Sequence, residues 1–491
     1  MPANWRLRFF FPAALGAWIF LAAGCVQPLG PGYQFADRQA EIRVSSASPD
    51  RIHLRVADEL KNDGNRTLRS LEVRLPEAPA FGAQNLRVLI EGVEVSPQPS
   101  SETDARMMLE PFDPPWPRNE KRKIVTEWDL LPSSSERGTI AASPDGFFVA
   151  DETALPLWQT PLGLFARGGT IPDKELLTVL APADFRVLAP GKPFKPAANG
   201  NQIARRFLID SPDKFLTYVV AGRYQEKVIQ SREGEVRFWT FRPVDGAAAQ
   251  TAGERLSSSL KTLTEYFEPA SEGKTSVRIA EAPAELPSEF GGPGDSGGAS
   301  FPEGALLDPQ AFAQGVSSEA VLQLAEYELA RTWFGWRVRP RREAQVLMGR
   351  GVGMFSLVVV AERRGQSERG RIVASLIDRY DQARAAAPDK RLLVLPEDLS
   401  RAERISTGYR AALFFVALED FCGHDNLRTA FRDVLYARAG ADTGYEELRA
   451  AAESASGKDL AEMFRAWLDH PGIPAEFRAR YQKASSAGLL N

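Results

Sequence analysis

Cysteine and histidine are both scarce in this 491-residue chain. Cysteine occurs at Cys25 and Cys422, and histidine occurs at His53, His424 and His470. If Cys25 is modified at the N-terminus, no disulfide can form within one chain. Three histidines also leave little material for a metal centre that needs several imidazoles.

The sequence also lacks a large excess of either charge. It contains 60 Lys and Arg residues against 64 Asp and Glu residues, which gives a formal net charge of −4. A nucleic-acid-binding surface normally carries a clear basic excess, so no nucleic-acid partner is expected. The length suits about three domains at roughly 150 residues each, and no internal repeat is visible.

The apolar run near the N-terminus is short. It extends from Phe9 to Gly24, 16 residues, and follows the basic residues Arg6 and Arg8. A membrane-spanning helix needs about 20 apolar residues. Residues 1–24 are therefore predicted to be a secretory signal peptide and not part of the fold.

The junction after this run resembles a lipobox, in which a cysteine thiol takes a diacylglyceryl chain and becomes the mature N-terminus. The cysteine here is Cys25, but Leu21 lies four residues before it instead of three. A plain secretory signal with a chance cysteine therefore stays open. Residues 25–32 would form a lipid-anchored tether, and Val26 favours the outer membrane by resemblance to enteric lipoproteins. We expect a cell-envelope protein, anchored in the membrane through the lipid, that faces the periplasm or the surface.

The hydrophobic periodicity changes near the middle of the chain. Alternation such as Leu71-Glu-Val-Arg-Leu predicts an all-β domain over residues 33–245. Small residues over 243–253 predict a linker. The spacing of Leu256, Leu260 and Leu263 then indicates a helical region.

This second region is predicted to extend over residues 250–480, with a short strand section at 276–309. Helices are predicted at 318–334, 351–364, 369–386, 406–421, 426–437, 444–455 and 459–468.

The segment Glu326–Gly335 (EYELARTWFG) resembles the helix H-E-L-A-H-x-W-F-G of the membrane alanyl aminopeptidase family. These zinc metallopeptidases are gluzincins. Two histidines at i and i+4 share one helix face, and a glutamate about 19 residues later completes the metal site. The resemblance implies an α+β multidomain fold. An N-terminal all-β sandwich or saddle would be followed by a thermolysin-like, mainly helical peptidase-type domain.

All three zinc-ligand positions of the family are changed in this chain. Tyr327 and Arg331 occupy the histidine positions, and Arg350 occupies the glutamate position. A phenol with a reference pKa of about 10 and a guanidinium with one above about 12 are poor zinc ligands. We therefore expect that zinc is lost and that no cofactor is bound. Glu328 is the remnant of the general base, and we expect Arg331 or Arg350 to supply its counter-charge. The alternative is that Glu328 is exposed and idle.

Two further landmarks support the same resemblance. In the family a G-A-M-E-N loop holds the free amine of the substrate. Tyr409 matches the tyrosine that stabilises the oxyanion, although a core tyrosine with a satisfied hydroxyl is an equal alternative. The residues at the place of the amine-binding loop are Gly291, Gly292, Pro293, Gly294 and Asp295, with Gly294 at the glutamate position.

The leading expectation for function is a non-catalytic pseudo-peptidase that binds peptide or protein. One alternative is an active zinc metallo-aminopeptidase with an atypical ligand set. The other is a metal-free enzyme that reuses Glu328 and Tyr409. The membrane, contacted through the N-terminal lipid, is the other expected partner.

Two smaller features are more ambiguous. Cys422 and His424 lie two residues apart and are able to contact a metal, although such an isolated pair usually packs in a core. The four arginines of the basic run are expected to be solvated, with a site for an acidic partner as the alternative. They are Arg337, Arg339, Arg341 and Arg342.

The lipobox generates a direct test. Cys25→Ser should release the mature protein from membranes, because the thiol that carries the lipid is gone and stable anchoring depends on acyl chains. Washed membranes and the soluble fraction are compared by immunoblotting. Persistence of the variant on washed membranes would refute lipid anchoring.

Overall fold

The structure is a computed structural model that describes residues 33–488 with internal gaps. The signal peptide, Cys25 and the tether lie outside the described residues. The gaps are residues 46–47, 65–66, 75–82, 100–105, 110–111, 132–139, 151–156, 159–173, 210–217, 269–275, 287–296, 395–398 and 440–441.

The N-terminal part is built from strands, as the alternating pattern predicts. The strands are β1 (Tyr33–Ser45), β2 (Ser48–Asn62), β3 (Leu71–Arg74), β4 (Ala83–Ile90), β5 (Val93–Val95), β6 (Gln98–Pro99), β7 (Arg106–Leu109), β8 (Lys121–Leu130), β9 (Ile140–Ser143), β10 (Gly146–Ala150), β11 (Leu157–Trp158), β12 (Glu175–Ala181), β13 (Arg186–Leu188), β14 (Lys192–Pro193), β15 (Ala197–Asn199), β16 (Gln202–Ile209) and β17 (Tyr218–Gly222).

These strands form one large sheet that is covered by two smaller ones. The large sheet has the order β14-β16-β12-β1-β2-β8-β4-β5, and β15 also pairs with β16. A sheet of order β13-β17-β10-β9 covers one part, and a sheet of order β11-β3-β7-β6 covers another. Alternate residues of β2, such as Ile52 and Leu54, enter the first core with Trp128 and Phe147. The expected β-sandwich architecture is confirmed.

A second set of strands and the helices form the C-terminal part. The strands are β18 (Gln225–Gln230), β19 (Glu235–Thr240), β20 (Ser276–Glu281), β21 (Gly298–Phe301), β22 (Gly304–Leu307), β23 (Arg339–Pro340) and β24 (Asp442–Thr443). The helices are α1 (Gly246–Phe267), α2 (Pro309–Ala313), α3 (Glu319–Ala330), α4 (Val352–Arg364), α5 (Gln366–Ala386), α6 (Arg401–Cys422), α7 (His424–Ala437), α8 (Tyr445–Ser456), α9 (Ala461–Leu468) and α10 (Ala475–Gly488). A π-helix, Gln345–Gly351, leads directly into α4.

The expected linker at 243–253 is wrong, because most of it is the first part of α1. The Asp245 side chain accepts a hydrogen bond from the Ala248 amide at 2.8 Å and caps this helix. Buried Ala249 and Ala252 then pack in the helical core. Small residues that suggest a flexible segment are also good helix formers, and here a cap and a packing surface decide between the two structures.

The division expected at residue 245 is also displaced toward the N-terminus. Strands β18 and β19 belong to a sheet of order β18-β19-β20-β22-β21, in which β19 pairs in parallel with β20. Val236 and Phe238 of β19 lie in the same core as the helices. Alternation predicts a strand but not its partner, because pairing depends on contacts that are remote in sequence.

The two parts meet across an aromatic contact. Tyr218 of β17 stacks on Phe301 of β21 with ring centroids 5.7 Å apart, and Trp336 packs edge-on against the same tyrosine. The Trp336 indole donates a hydrogen bond to the Ser300 carbonyl at 3.0 Å. This contact holds the β-sandwich against the sheet that supports α3.

Buried hydrophobic residues make α4 the central helix of the C-terminal part. Among the described residues, the stretch Gln345–Arg364 is long and apolar enough to cross a membrane, but 83% of its most apolar window is buried inside the protein. It packs against α3, α5 and α6. The stretch therefore serves as a core helix of the fold.

A buried ion pair fastens the chain end to α6. Arg410 is fully buried, and its Nη1 lies 2.9 Å from Asp389 Oδ2. The same guanidinium donates to the Trp467 carbonyl at 3.1 Å, while the Gly472 amide donates to Asp389 at 2.6 Å. The segment after α9 is thereby held against α6 through charge-assisted hydrogen bonds.

Candidate functional site

Helix α3 brings the family's motif positions into the interior. It begins after Ser318, carries Glu319 in its first turn and ends after Ala330. Glu326, Tyr327 and Glu328 are all buried. The helix packs on β21, β22, α1 and α4, so it has little solvated face. Charged side chains on such a helix need partners inside the protein.

Glu328 is enclosed between β21 and the residue that ends the helix. Its side chain is 0% exposed, and Arg331 Nη1 lies 3.0 Å from its Oε2. On the other side it approaches Gly298 so closely that a Cβ there would lie 2.9 Å from Oε1. The salt bridge expected from the sequence is thus present, and Arg331 supplies the cation.

Tyr327 lies against the start of α4. It is fully buried, and a Cβ on Gly353 would meet its ring at 2.7 Å. The Arg331 guanidinium lies 5.5 Å from the centre of the Tyr327 ring. The arginine therefore contacts both neighbours in the motif, one through charge and one through a cation–π contact.

Arg350 is positioned by the π-helix, a form that is frequent at functional sites. Its Nη1 donates to the carbonyl of Arg404 on α6 at 3.1 Å, and its Cδ lies 3.8 Å from a Cβ built on Gly408. The next residue, Gly351, is in close contact with Ala411 of α6. The third ligand position therefore faces α6, on which Tyr409 lies.

Tyr409 is buried, and its hydroxyl accepts a hydrogen bond from Arg379 Nη1 at 3.3 Å. Arg379 belongs to α5, so a cation again lies beside a residue singled out by the motif. The amine-binding loop, residues 291–295, lies outside the described residues.

The side chains at the three ligand positions do not suit Zn²⁺. Tyr327 is enclosed by protein atoms, and Arg331 and Arg350 are cations with no lone pair to donate. Glu328 alone among these four residues has a group that zinc accepts, and a guanidinium already lies against it. A dication placed there would be repelled by Arg331.

The described part of the chain contains one group of three metal-binding side chains, and it lies elsewhere. The group consists of Glu362, Glu419 and His424. Sequence reasoning noticed His424 but paired it with Cys422. The five-residue spacing between Glu419 and His424 was a sequence signal that these two side chains lie close together. Glu362 comes from a different helix, and no sequence signal indicated its proximity.

The basic run is largely neutralised by the protein itself. Arg337 forms an ion pair with Glu268, and Arg341 lies 2.7 Å from Glu447. Arg339 is buried in β23. The expectation of solvated arginines is therefore wrong for Arg339. The acidic partners of Arg337 and Arg341 are residues of this chain.

The pairing of Arg331 with Glu328 has a measurable consequence for stability. Arg331→Ala should lower the free energy of unfolding by about 3 kcal/mol, the low end of the roughly 3–5 kcal/mol for removing one member of a buried pair. The low end is appropriate because the Arg331 side chain is 27% exposed. Urea unfolding measures the change.

The matched control is Arg371→Ala, which removes an exposed pair with Glu368 and should leave the curve unchanged. Adding Glu328→Gln to Arg331→Ala should recover more than half of the loss, because a neutral amide needs no counter-charge. An Arg331→Ala protein as stable as the wild type would contradict the proposed role of the pair.

Comparison with solved structures identifies proteins of similar fold. No protein-family model and no curated protein matches the chain. An M1 zinc metallopeptidase from Deinococcus radiodurans matches it with a TM-score of 0.60 and 14% identity, covering 91% of this chain and 96% of the other.

A mutant of the Deinococcus enzyme bound to a Tyr-Ser-Ala substrate matches with a TM-score of 0.59, 15% identity and the same coverage. A two-domain M1 zinc metallopeptidase mutant bound to L-tryptophan matches with a TM-score of 0.58 and 14% identity, again over 91% and 96% of the chains. The chain therefore has the two-part α+β fold of the M1 zinc metallopeptidases, as the sequence resemblance implied.

Proposed function

We propose that this chain is a non-catalytic, aminopeptidase-like protein that binds a peptide or a protein segment at the cell envelope. One observation carries the proposal. Arg331 stands at a zinc-ligand position and forms an ion pair with the buried Glu328, the residue that corresponds to the general base. A guanidinium thus occupies the neighbourhood in which the family holds its metal.

Hydrolysis of a peptide needs an activated water and a stabilised oxyanion. In the family zinc supplies the first by lowering the pKa of its bound water, and the glutamate accepts the proton. Here Arg331 and Arg350 cannot hold zinc, and Glu328 is engaged by Arg331 at 3.0 Å. Tyr409 alone, hydrogen bonded to Arg379, does not generate a nucleophile.

The fold and the arginines at the motif support binding of a peptide more than its hydrolysis. The chain retains the fold over almost the whole length of the Deinococcus enzyme, and α3, β21, α4 and α6 surround the altered positions. Arginine groups at such a place suit carboxylates and peptide carbonyls, which accept charge-assisted hydrogen bonds. Lipid attachment at Cys25, with residues 25–32 as a tether, would hold this surface at the membrane.

Two catalytic alternatives remain as outcomes of experiment. A zinc aminopeptidase with an atypical ligand set would release N-terminal residues in a chelator-sensitive way. A metal-free enzyme using Glu328 and Tyr409 would act on a substrate regardless of chelator, and variants of those two residues would abolish that activity.

The loss of catalysis can be tested by reversal. The wild type should release no amino acid from a chromogenic aminoacyl substrate, with or without added Zn²⁺. The triple change Tyr327→His, Arg331→His and Arg350→Glu restores two imidazoles one turn apart and the carboxylate. We expect Zn²⁺ to raise the melting temperature of the triple variant, because metal binding is coupled to folding.

Activity of the triple variant should stay weak, since Gly294 stands at the amine-anchoring position and substrate positioning is a large part of catalysis. Tyr327→His alone is the control and should gain no zinc-dependent stability. Chelator-sensitive aminopeptidase activity in the wild type would overturn the proposal.

Ligand binding is tested with Tyr-Ser-Ala, the tripeptide bound by the Deinococcus mutant, labelled at its C-terminal end. Fluorescence anisotropy should show saturable binding, and chromatography should recover the peptide intact. Arg350→Ala should weaken binding about 10-fold or more, the worth of one hydrogen bond to a charged group. The control Arg371→Ala should bind like the wild type. Equal affinities of the two variants, or no binding, would count against a peptide site at the altered motif.

A further inference from the structure

Three helix ends converge at the end of α4 that is remote from the altered peptidase motif. Glu362 lies near the C-terminal end of α4, Glu419 lies in the last turn of α6, and His424 begins α7. Gly423, with φ of 92°, makes the sharp connection between α6 and α7. His424 is thereby brought back over the end of the helix that carries Glu419.

The donor atoms of these residues are close together. His424 Nδ1 lies 3.0 Å from Glu419 Oε1 and 3.4 Å from Glu362 Oε2. All three donor atoms lie within 4.8 Å of one another. Neighbouring ligands of a tetrahedral ion with bonds of about 2.0–2.1 Å lie roughly 3.3 Å apart. The two separations from His424 therefore match the spacing of neighbouring ligands in a zinc coordination shell.

Hydrogen bonding within the described residues does not account for the whole cluster. Glu362 Oε2 is buried and accepts no hydrogen bond there. Tyr266 is 4% exposed, and its hydroxyl lies near the Glu419 carboxylate without a well-aligned hydrogen bond among the described residues. Buried polar atoms of this kind are uncommon and call for an unseen water or ion.

Tyr266 faces the same cluster. Its ring packs edge-on against the His424 ring with centroids 5.4 Å apart. Its phenol hydroxyl is able to donate a hydrogen bond to an oxygen ligand within the cluster.

The nearest cation, Arg369, approaches the cluster mainly through the outer oxygen of Glu419. Its Nη2 binds Glu419 Oε2 at 2.8 Å, while the oxygen nearest His424 is Oε1, and its Nε lies 3.9 Å from Glu362 Oε2. Arg428 is engaged by Asp425 at 2.8 Å. Two carboxylates, one imidazole and an adjacent phenol match the ligands of a borderline divalent ion better than those of Ca²⁺ or Mg²⁺, which prefer oxygen ligands alone.

We propose that Glu362, Glu419 and His424 form a structural site for a divalent metal, with Zn²⁺ as the fitting ion. A water completes the coordination and accepts the Tyr266 hydrogen bond. The site joins the ends of α4 and α6 to the start of α7. Glu362 is nine residues beyond Gly353, the α4 residue against Tyr327, or about 13 Å along the helix axis. The site is therefore separate from the altered motif and does not depend on the proposed function.

The test measures Zn²⁺ binding to the full mature chain by isothermal titration and by metal analysis after dialysis. The wild type should bind one Zn²⁺ per chain and melt at a higher temperature with Zn²⁺. His424→Ala should weaken binding by more than about 100-fold, since even outer-shell partners are worth about 10–100-fold. Glu362→Gln, at a half-buried residue, should do the same in a fold that circular dichroism shows to be intact.

The matched controls are His53→Ala and His470→Ala. His53 lies 3.0 Å from Asp129. It therefore forms a histidine–carboxylate pair of the same length as that of His424 and Glu419, but among the described residues it is not part of a three-residue cluster. Both controls should bind Zn²⁺ like the wild type. A folded wild type that binds no Zn²⁺, or one whose binding survives both His424→Ala and Glu362→Gln, would overturn the proposed site.

The altered motif is examined in parallel with Glu328→Gln. If Glu328→Gln abolishes zinc binding and His424→Ala leaves it intact, the ion is bound at the altered motif. That result would contradict both proposals. Zinc binding that is lost in His424→Ala and unchanged in Glu328→Gln supports the site at Glu362, Glu419 and His424. Activity measurements then decide whether the motif around Glu328 is catalytic.

Discussion

A carboxylate buried in the last turn of a core helix is the constraint around which the C-terminal part is arranged. Glu328 is fully enclosed on α3, and an isolated buried charge is too costly to persist without compensation. A zinc peptidase meets this requirement with its metal. Here the same requirement is met by Arg331, which lies against the carboxylate and the Tyr327 ring. The ion pair therefore allows the buried carboxylate to remain in the core of this fold.

The scaffold around this pair is stabilised independently of any metal at the motif. α3 rests on β21 and β22, and α4 crosses behind it with Gly353 against Tyr327. The chain end is fastened by the buried pair of Arg410 and Asp389. Because these contacts involve packing and fixed cations, the fold around α3 does not depend on a metal at the motif. The metal that we propose at the other end of α4 would stabilise the same helix.

Sequence reasoning succeeded where the information was local. Most helices lie within a few residues of their predicted bounds, because each carries its own hydrophobic period. The salt bridge of Glu328 was limited to Arg331 or Arg350, since position i+3 is a neighbour on any helix. It failed over the expected linker, of which residues 246–253 are helical, and at the boundary near residue 245, because β19 takes β20 as its neighbour. Glu362 could not be associated with His424, since their proximity depends on how α4, α6 and α7 pack.

The sequence by itself determined the identity and spacing of the motif residues, and with them the presence of a phenol and two guanidinium groups at Tyr327, Arg331 and Arg350. Those facts follow from side-chain chemistry and from the helix repeat, and no packing arrangement can turn a guanidinium into a lone-pair donor. Only the tertiary structure decided which arginine neutralises Glu328, that Tyr409 meets Arg379, and that two carboxylates and an imidazole meet at three helix ends. Each of these depends on distances between segments far apart in the chain, and those distances are fixed by the packing of the whole domain.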